Sequence, residues 1–394
     1  MDYLTPAQAA EKWGVSRRSV RQYLEDERIA GVVRVNNRIL IPADAEKPID
    51  RRVQTNKKAI AQSPAFNPFV LTVGCYAPGE AEAYLNGLRD DEKRLIGMAE
   101  LAYYRGNPEK TQEICAQLSQ NKNLHTQIGV FLMGVVSSML TDKPEKILNN
   151  YRLLQHISSA AAQNEKYAKT GQFFSLYRNI LVHHTAAIVF PDVGVDAFAV
   201  DEALKPMAIY AYCRYLMLTN NVRRGIGLAE GALIMMKPQR PVSAIYLALI
   251  IAVGYVNRGQ WDRAEYYFRY AMQLAEPDGI IAPFAEFRCL LLGLVEKCMC
   301  TENPEQYKRV MDLSMVYLKN WIFIHNALTG RTVSDKLSPM EFNVAMLAAR
   351  GERNEDIAAT LGISVHSVRS HLRNIFNKLN IDSRKQLVDY VIYR

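Results

Sequence analysis

Two short cationic tracts, one near each end of the 394-residue chain, carry the residue types best suited to act on a polyanion. Near the C-terminus, Gly362-Ile363-Ser364 is followed by Arg369, Ser370, Arg373 and Lys378, with no acid from 364 to 378. Near the N-terminus, Gly14-Val15-Ser16 is followed by Arg17, Arg18, Arg21 and Gln22, and the next acid is Glu25. An arginine fork donates to both O6 and N7 of guanine, a pairing that discriminates against a wrong base by roughly 1–3 kcal/mol. In both tracts a serine can cap a helix, and the cations fall opposite the apolar residues. The inward residues are Val368, Leu372, Ile375 and Leu379 in one, and Val20, Tyr23 and Leu24 in the other. An arbitrary pair of surface arginines is ordinarily a solvated face. An acid-free helix directly after a glycine turn instead sits where a recognition helix meets DNA.

The elements that must position these arginines are legible around them. Ser338-Pro339-Met340-Glu341 reads as a capping box with proline at the first helical position. Gly351 ends that helix, Asn354 can cap the next with Glu355 and Asp356 at its positive end, and Ile357, Ala358 and Leu361 form its buried stripe. Gly362 closes the second helix, Ser364 caps the third, and a fourth begins at Ser383, boxed by Gln386.

From Leu337 to about Tyr390 the chain resembles the LuxR-type helix-turn-helix, in Glu341, Gly351, Asn354, Ile357-Ala358, Leu361, Ser364, Val368, His371, Asn374-Ile375 and Lys378-Leu379. The resemblance implies a third helix lying in the major groove of double-stranded DNA. It assigns base reading to Arg369, Ser370 and Arg373, with Ser367 on the same face, and places Lys378 and Arg353 nearer the phosphates. It also implies a homodimer contact through Leu387, Val388 and Val391. Met340 stands where a basic residue is usual and Glu355 where lysine is frequent, which predicts a weaker phosphate grip. His371 reads as a structural wedge near the turn.

Thr5-Pro6-Ala7-Gln8 is a second capping box, followed by Ala9, Ala10 and Trp13 as an apolar face. After Gly31 the period changes: Val33, Val35, Ile39 and Ile41 flank Asn36-Asn37, a dipeptide suited to a two-residue hairpin turn, with Arg34 and Arg38 riding on the hairpin. Helix, turn, helix, hairpin is the order of a winged helix-turn-helix. These first 50 or so residues, closing on the tract from Ile41 to Asp50, resemble excisionase or MerR-type heads. That implies DNA contact by Arg17, Arg18, Arg21, Gln22 and Arg38, although short winged heads also dock proteins.

Between the heads, from about Phe66 to Leu328, helical periodicity dominates. Tyr104-Arg105-Gly106-Asn107-Pro108-Glu109 recurs in weaker form at 141–145, 219–223, 257–262 and 302–305, at intervals of one or two helical hairpins. The segment resembles a tetratricopeptide-type solenoid, best in Ala252 to Ala275, and the continuation to Phe284 is similar to the helical sensor part of maltose-regulator-like LuxR proteins. Such a solenoid has a groove for a small molecule, a peptide or a partner protein. Most of its tyrosines, Tyr210, Tyr212, Tyr215, Tyr246, Tyr255, Tyr266, Tyr267 and Tyr270, read as packing between repeats.

The expected fold is mainly α: a winged head at 1–52, a linker at 53–65, an α-solenoid of helical hairpins at 66–330 and a four-helix head at 335–394. A net charge of +8 favours polyanions, and 49% apolar with 22% charged residues is ordinary soluble material. The longest apolar run, Val242 to Val256, is too short to span a bilayer, and Met1-Asp2-Tyr3-Leu4 begins no secretory signal, so a cytoplasmic protein is expected. Cys75, Cys115, Cys213, Cys289, Cys298 and Cys300 contain no CxxC pair, and neither Cys298-Met299-Cys300 nor His183-His184 points two ligands at one metal. No phosphate-binding GxxxxGK[ST] loop, nucleophile elbow or metalloprotease motif occurs, and the N-terminal segment is too short for a phospho-acceptor receiver. These observations predict a non-enzymatic transcription regulator without a cofactor. A helical-repeat adaptor with a protein-docking N-terminal head, or a recombination accessory factor, is the alternative.

Overall fold

Helices make up most of the chain in the computed structural model, which describes residues 3–25, 29, 31–35, 38–43, 45, 68–141, 143–164, 167–188, 201–236, 239–331 and 333–391. The chain divides into two units, residues 1–65 and 66–394. The expected Asn36-Asn37 turn and the 53–65 linker lie outside the described residues, as does nearly all of the closing tract after Ala43.

The first unit holds helices Pro6–Trp13 and Arg17–Glu25 and three strands: β1 (Tyr3–Leu4), β2 (Val33–Val35) and β3 (Arg38–Pro42). The sheet order is β1-β3-β2, antiparallel throughout, with Leu4 opposite Ile41 and Arg34 opposite Ile39. β1 is an addition to the expected hairpin, and its two residues are too few to show strand alternation in sequence. Ala9, Ala10, Val20, Tyr23, Leu24 and Ile41 form the buried core.

In the second unit, four of the turn tracts read from sequence connect successive packed helices: Asp91–Tyr104 with Pro108–Leu118, Lys205–Leu218 with Val222–Met235, Pro241–Val256 with Trp261–Ala275, and Leu294–Glu302 with Pro304–Thr329. The tract at 141–145 does the same between Leu124–Ser138 and Pro144–Gln163. All residues of Pro241–Val256 are buried, which explains its long, largely apolar run. In the hairpin of Pro144–Gln163 with Ala168–Leu181, a Cβ on Gly171 would lie 2.2 Å from the Ala162 nitrogen and 2.5 Å from the Ala161 carbonyl carbon. Tyr210, Tyr212, Tyr246 and Tyr255 are buried, whereas Tyr266 is exposed. All six cysteines are free thiols, and burial pushes those of Cys115 and Cys213 up to about 12. Among the described residues no helix is long and apolar enough to cross a membrane, and no three His, Cys, Asp or Glu side chains gather as a metal site.

Glu100, 0% exposed, fastens the start of this unit. Its carboxylate accepts the backbone N–H groups of Val70 (2.5 Å), Leu71 (3.2 Å) and Thr72 (2.8 Å) and the Thr72 hydroxyl. Burial pushes Glu100 up to about 7 against the pull of these donors. The folded state therefore holds a proton that the unfolded chain has released above its ordinary value near 4.5. Stability from this group is greatest at low pH and declines between about pH 4.5 and 7, by ~3 kcal/mol over the window. Urea midpoints across that range should show the decline, and Glu100→Gln should flatten it. An equally steep variant would assign the slope to other groups.

Candidate nucleic-acid interface

The C-terminal head is assembled from local capping. The Ser338 hydroxyl accepts the Glu341 N–H (3.2 Å) while the Glu341 carboxylate accepts the Ser338 N–H (2.7 Å), opening helix Pro339–Ala349. Gly351 has φ +89°, a left-handed value that glycine adopts without strain, and Gly362 ends helix Asn354–Leu361 at φ +65°. Asn354 does not cap that helix: it is the first helical residue, and Arg353 occupies the cap position without a side-chain bond to the backbone. The Asn354 amide oxygen instead faces Arg384 at 3.5 Å, a partner thirty residues on.

Ser364 caps helix Val365–Leu379 by accepting the Ser367 N–H at 2.9 Å. Val368, Leu372, Ile375 and Leu379 are buried, and Arg369 and Arg373 are exposed one turn apart. Neither arginine has an ion-pair partner among the described residues. Ser367 and Ser370 are half-buried beside them, and the Ser367 hydroxyl is shared with Ser364 at 2.8 Å.

The two cations expected nearer phosphate are held by carboxylates. Lys378 Nζ lies 2.7 Å from Glu341, tying the third helix to the first, and Arg353 Nε lies 2.9 Å from Asp356. Burial works to raise the Glu341 pKa, but the Lys378 ammonium and the Ser338 bonds outweigh it and hold the carboxyl below its usual value. Arg384, which sequence reasoning passed over, donates to the carbonyls of Ala348 (3.2 Å) and Glu352 and so closes the end of the first helix. Its only signal is a basic residue inside the last capping box. That box forms, but it opens a six-residue 3-10 helix, Arg384–Asp389, and the Ser334 N–H takes the Tyr390 carbonyl directly after it. Leu387 and Val391 turn into the unit's own core, 0% and 4% exposed, while Val388 stays half-exposed.

In the first unit, Thr5 and Gln8 form their reciprocal box, Gly14 closes the first helix at φ +61°, and Ser16 accepts the Ser19 N–H at 3.1 Å. Arg17, Arg18, Arg21 and Gln22 are exposed on helix Arg17–Glu25. Arg38 belongs to β3, and its side chain lies outside the described residues. If the exposed arginines meet phosphates, replacing Arg17, Arg18 and Arg21 by alanine should make the logarithmic salt dependence of DNA binding shallower, by roughly 0.9 for each phosphate no longer neutralised. Fluorescence anisotropy between about 50 and 200 mM salt reads this slope. An unchanged slope would mark the unit as a protein-docking head.

The head is packed on the helices that precede it. Residues 341–348 are all buried, so helix Pro339–Ala349 is covered on every side. At Gly293 (φ +98°) a Cβ would lie 2.9 Å from the Thr360 carbonyl oxygen. Asn343, 0% exposed, shares a helix face with Leu347 and Arg350, and both ends of its amide lack a partner among the described residues.

Residues 335–391 match the family described as "Bacterial regulatory proteins, luxR family". The Oxygen regulatory protein NreC of Staphylococcus epidermidis is 41% identical over 56 residues, 14% of this chain and 26% of that protein. A putative HTH-type transcriptional regulator of Mycobacterium tuberculosis is 43% identical over 53 residues, 14% of this chain and 6% of that one. The Transcriptional regulatory protein MctR of Rhizobium johnstonii is 34% identical over 79 residues, 19% of this chain and 36% of MctR. The chain thus covers about a quarter of NreC's length and about a third of MctR's. No solved structure matches.

Proposed function

We propose that this chain, whose residues 335–391 form a luxR-family helix-turn-helix, is a sequence-specific DNA-binding regulator of transcription. The observation that carries this reading is the exposed pair Arg369 and Arg373, without an ion-pair partner among the described residues, on a capped, acid-free helix of that head. In this reading Arg369, Ser370 and Arg373 meet base edges, with Ser367 beside them. Arg353 and Lys378 trade their carboxylate partners for phosphates.

The proposal extends to the rest of the chain. The first unit is a winged head of excisionase or MerR type that adds contacts through Arg17, Arg18, Arg21, Gln22 and Arg38. Two modest binders on one chain gain affinity through effective concentration when both sites are in reach. The helical repeats at 66–330 sense a ligand or a partner. A homodimer forms through the last segment, with Val388 facing the second copy and Leu387 and Val391 supporting it from the core.

The test is to sequence fragments of the source genome retained by the full chain at near-physiological salt. One recurrent motif is expected. Retention without sequence preference would overturn base reading and favour a helical-repeat adaptor.

A further inference from the structure

Helix Val365–Leu379 holds one line of side chains directly away from its buried residues. At ~100° of turn per residue, Val368, Leu372, Ile375 and Leu379 centre on one side of the helix. His366, Ser370, Arg373 and Asn377 centre on the opposite side, and Arg369 stands about 70° round from the middle of their line. His366 and Asn377 are exposed, and neither side chain has a hydrogen-bond or ion-pair partner among the described residues.

The two ends of the line differ. The C-terminal end of the helix is tied back into the head, where Lys378 meets Glu341 at 2.7 Å and Leu379 is buried. At the other end the Ser364 and Ser367 hydroxyls lie 2.8 Å apart, and Ser364 also accepts the Ser367 N–H at 2.9 Å. Ser367 is half-buried, about 90° round from the outward line, and its hydroxyl is engaged in the cap. His366 beside it is exposed with its ring unbonded. A helix of this kind enters the major groove by its N-terminal residues, so the first free donor to meet base edges is the His366 imidazole. Guanine presents two adjacent acceptors there, N7 and O6, whereas adenine sets an amino donor beside N7. A ring N–H therefore matches guanine better than adenine.

We propose that His366 is a further base-reading residue of this helix, donating from its ring to a guanine in the major groove. The inference rests on the reading of the chain as a sequence-specific DNA binder and adds a position to the sequence it selects. His366 precedes Arg369 by three residues and Arg373 by seven, a rise of about 4.5 Å and 10.5 Å along the helix. At ~3.4 Å per base pair, its guanine lies roughly one base pair outside the position of Arg369 and about three from that of Arg373.

The test is selection from a random duplex library by the full chain and by three variants at exposed positions, His366→Ala, His366→Arg and Asn377→Ala. His366→Ala should lose guanine preference at one position outside those of the arginines, by roughly five- to tenfold, the low end of what one base pair contributes. The rest of the motif and the melting temperature should stay as they were. His366→Arg should restore guanine at that position, because the fork takes both acceptors. Asn377→Ala should remove no base preference. A motif unaltered in His366→Ala, or affinity that falls equally on every sequence as loss of a phosphate contact would make it, overturns base reading by His366. So does a preference that disappears in Asn377→Ala and persists in His366→Ala, since the helix would then enter the groove by its other end. An unmutated chain that selects no motif overturns the sequence-specific reading and this residue's role with it.

Discussion

Arg369→Ala combined with Arg373→Ala should abolish recognition of the selected DNA motif while leaving the protein's melting temperature nearly unchanged. Both side chains are exposed and neither is ion-paired among the described residues, so their removal opens no cavity and strands no charge. If each makes a forked contact to guanine worth roughly 1–3 kcal/mol, the pair costs about 2–6 kcal/mol, or between roughly 30-fold and 10⁴-fold in affinity. Non-specific binding should persist, because the cations of the first unit remain. Competition between motif and scrambled duplexes separates the two components. Retained preference for the motif in the double variant would remove helix Val365–Leu379 from base reading. Lys378→Ala should behave differently: it strips the buried Glu341 carboxylate of its ammonium, so its first effect is a lower melting temperature.

Gly171→Ala should be the most damaging single methyl group among the helical hairpins of residues 66–330. The atoms it would strike, the Ala162 nitrogen at 2.2 Å and the Ala161 carbonyl carbon at 2.5 Å, are backbone and cannot rotate aside. The two helices must separate, and the cost is about 3 kcal/mol or more. Gly227→Ala is the matched control: it also lies within a helix, with nothing inside 4 Å of a new Cβ, and should gain up to about 1 kcal/mol from helix propensity. Chemical denaturation of both variants gives the comparison. Similar midpoints would mean that the hairpin yields where its contacts say it should not.

What could be read in advance was governed by neighbours in sequence. The boxes at Thr5 and Ser338, the Ser364 cap and the left-handed Gly14 and Gly362 depend on residues three or four places away, and all are present. The same locality exposed the inward stripe of helix Val365–Leu379. What escaped is long-range. The ion pair of Lys378 with Glu341 gave no signal because the acid stands 37 positions earlier. Arg384 was passed over because the carbonyls it closes are 32 and 36 positions away. Glu100 gave no signal as an anchor, since its donors at 70–72 belong to a segment without helical or strand pattern. Asn354 fits the cap residue type, and a shift of one position moved the cap to Arg353.

Asn343 sits inside helix Pro339–Ala349, whose residues 341–348 are all buried. Packing alone would place an aliphatic side chain there, and a buried amide with both ends unmet among the described residues costs about 1–3 kcal/mol. The amide therefore lowers the stability of the head from within. The helix keeps its place through the apolar residues around the amide, and the stability held in reserve by the fold is smaller by that amount.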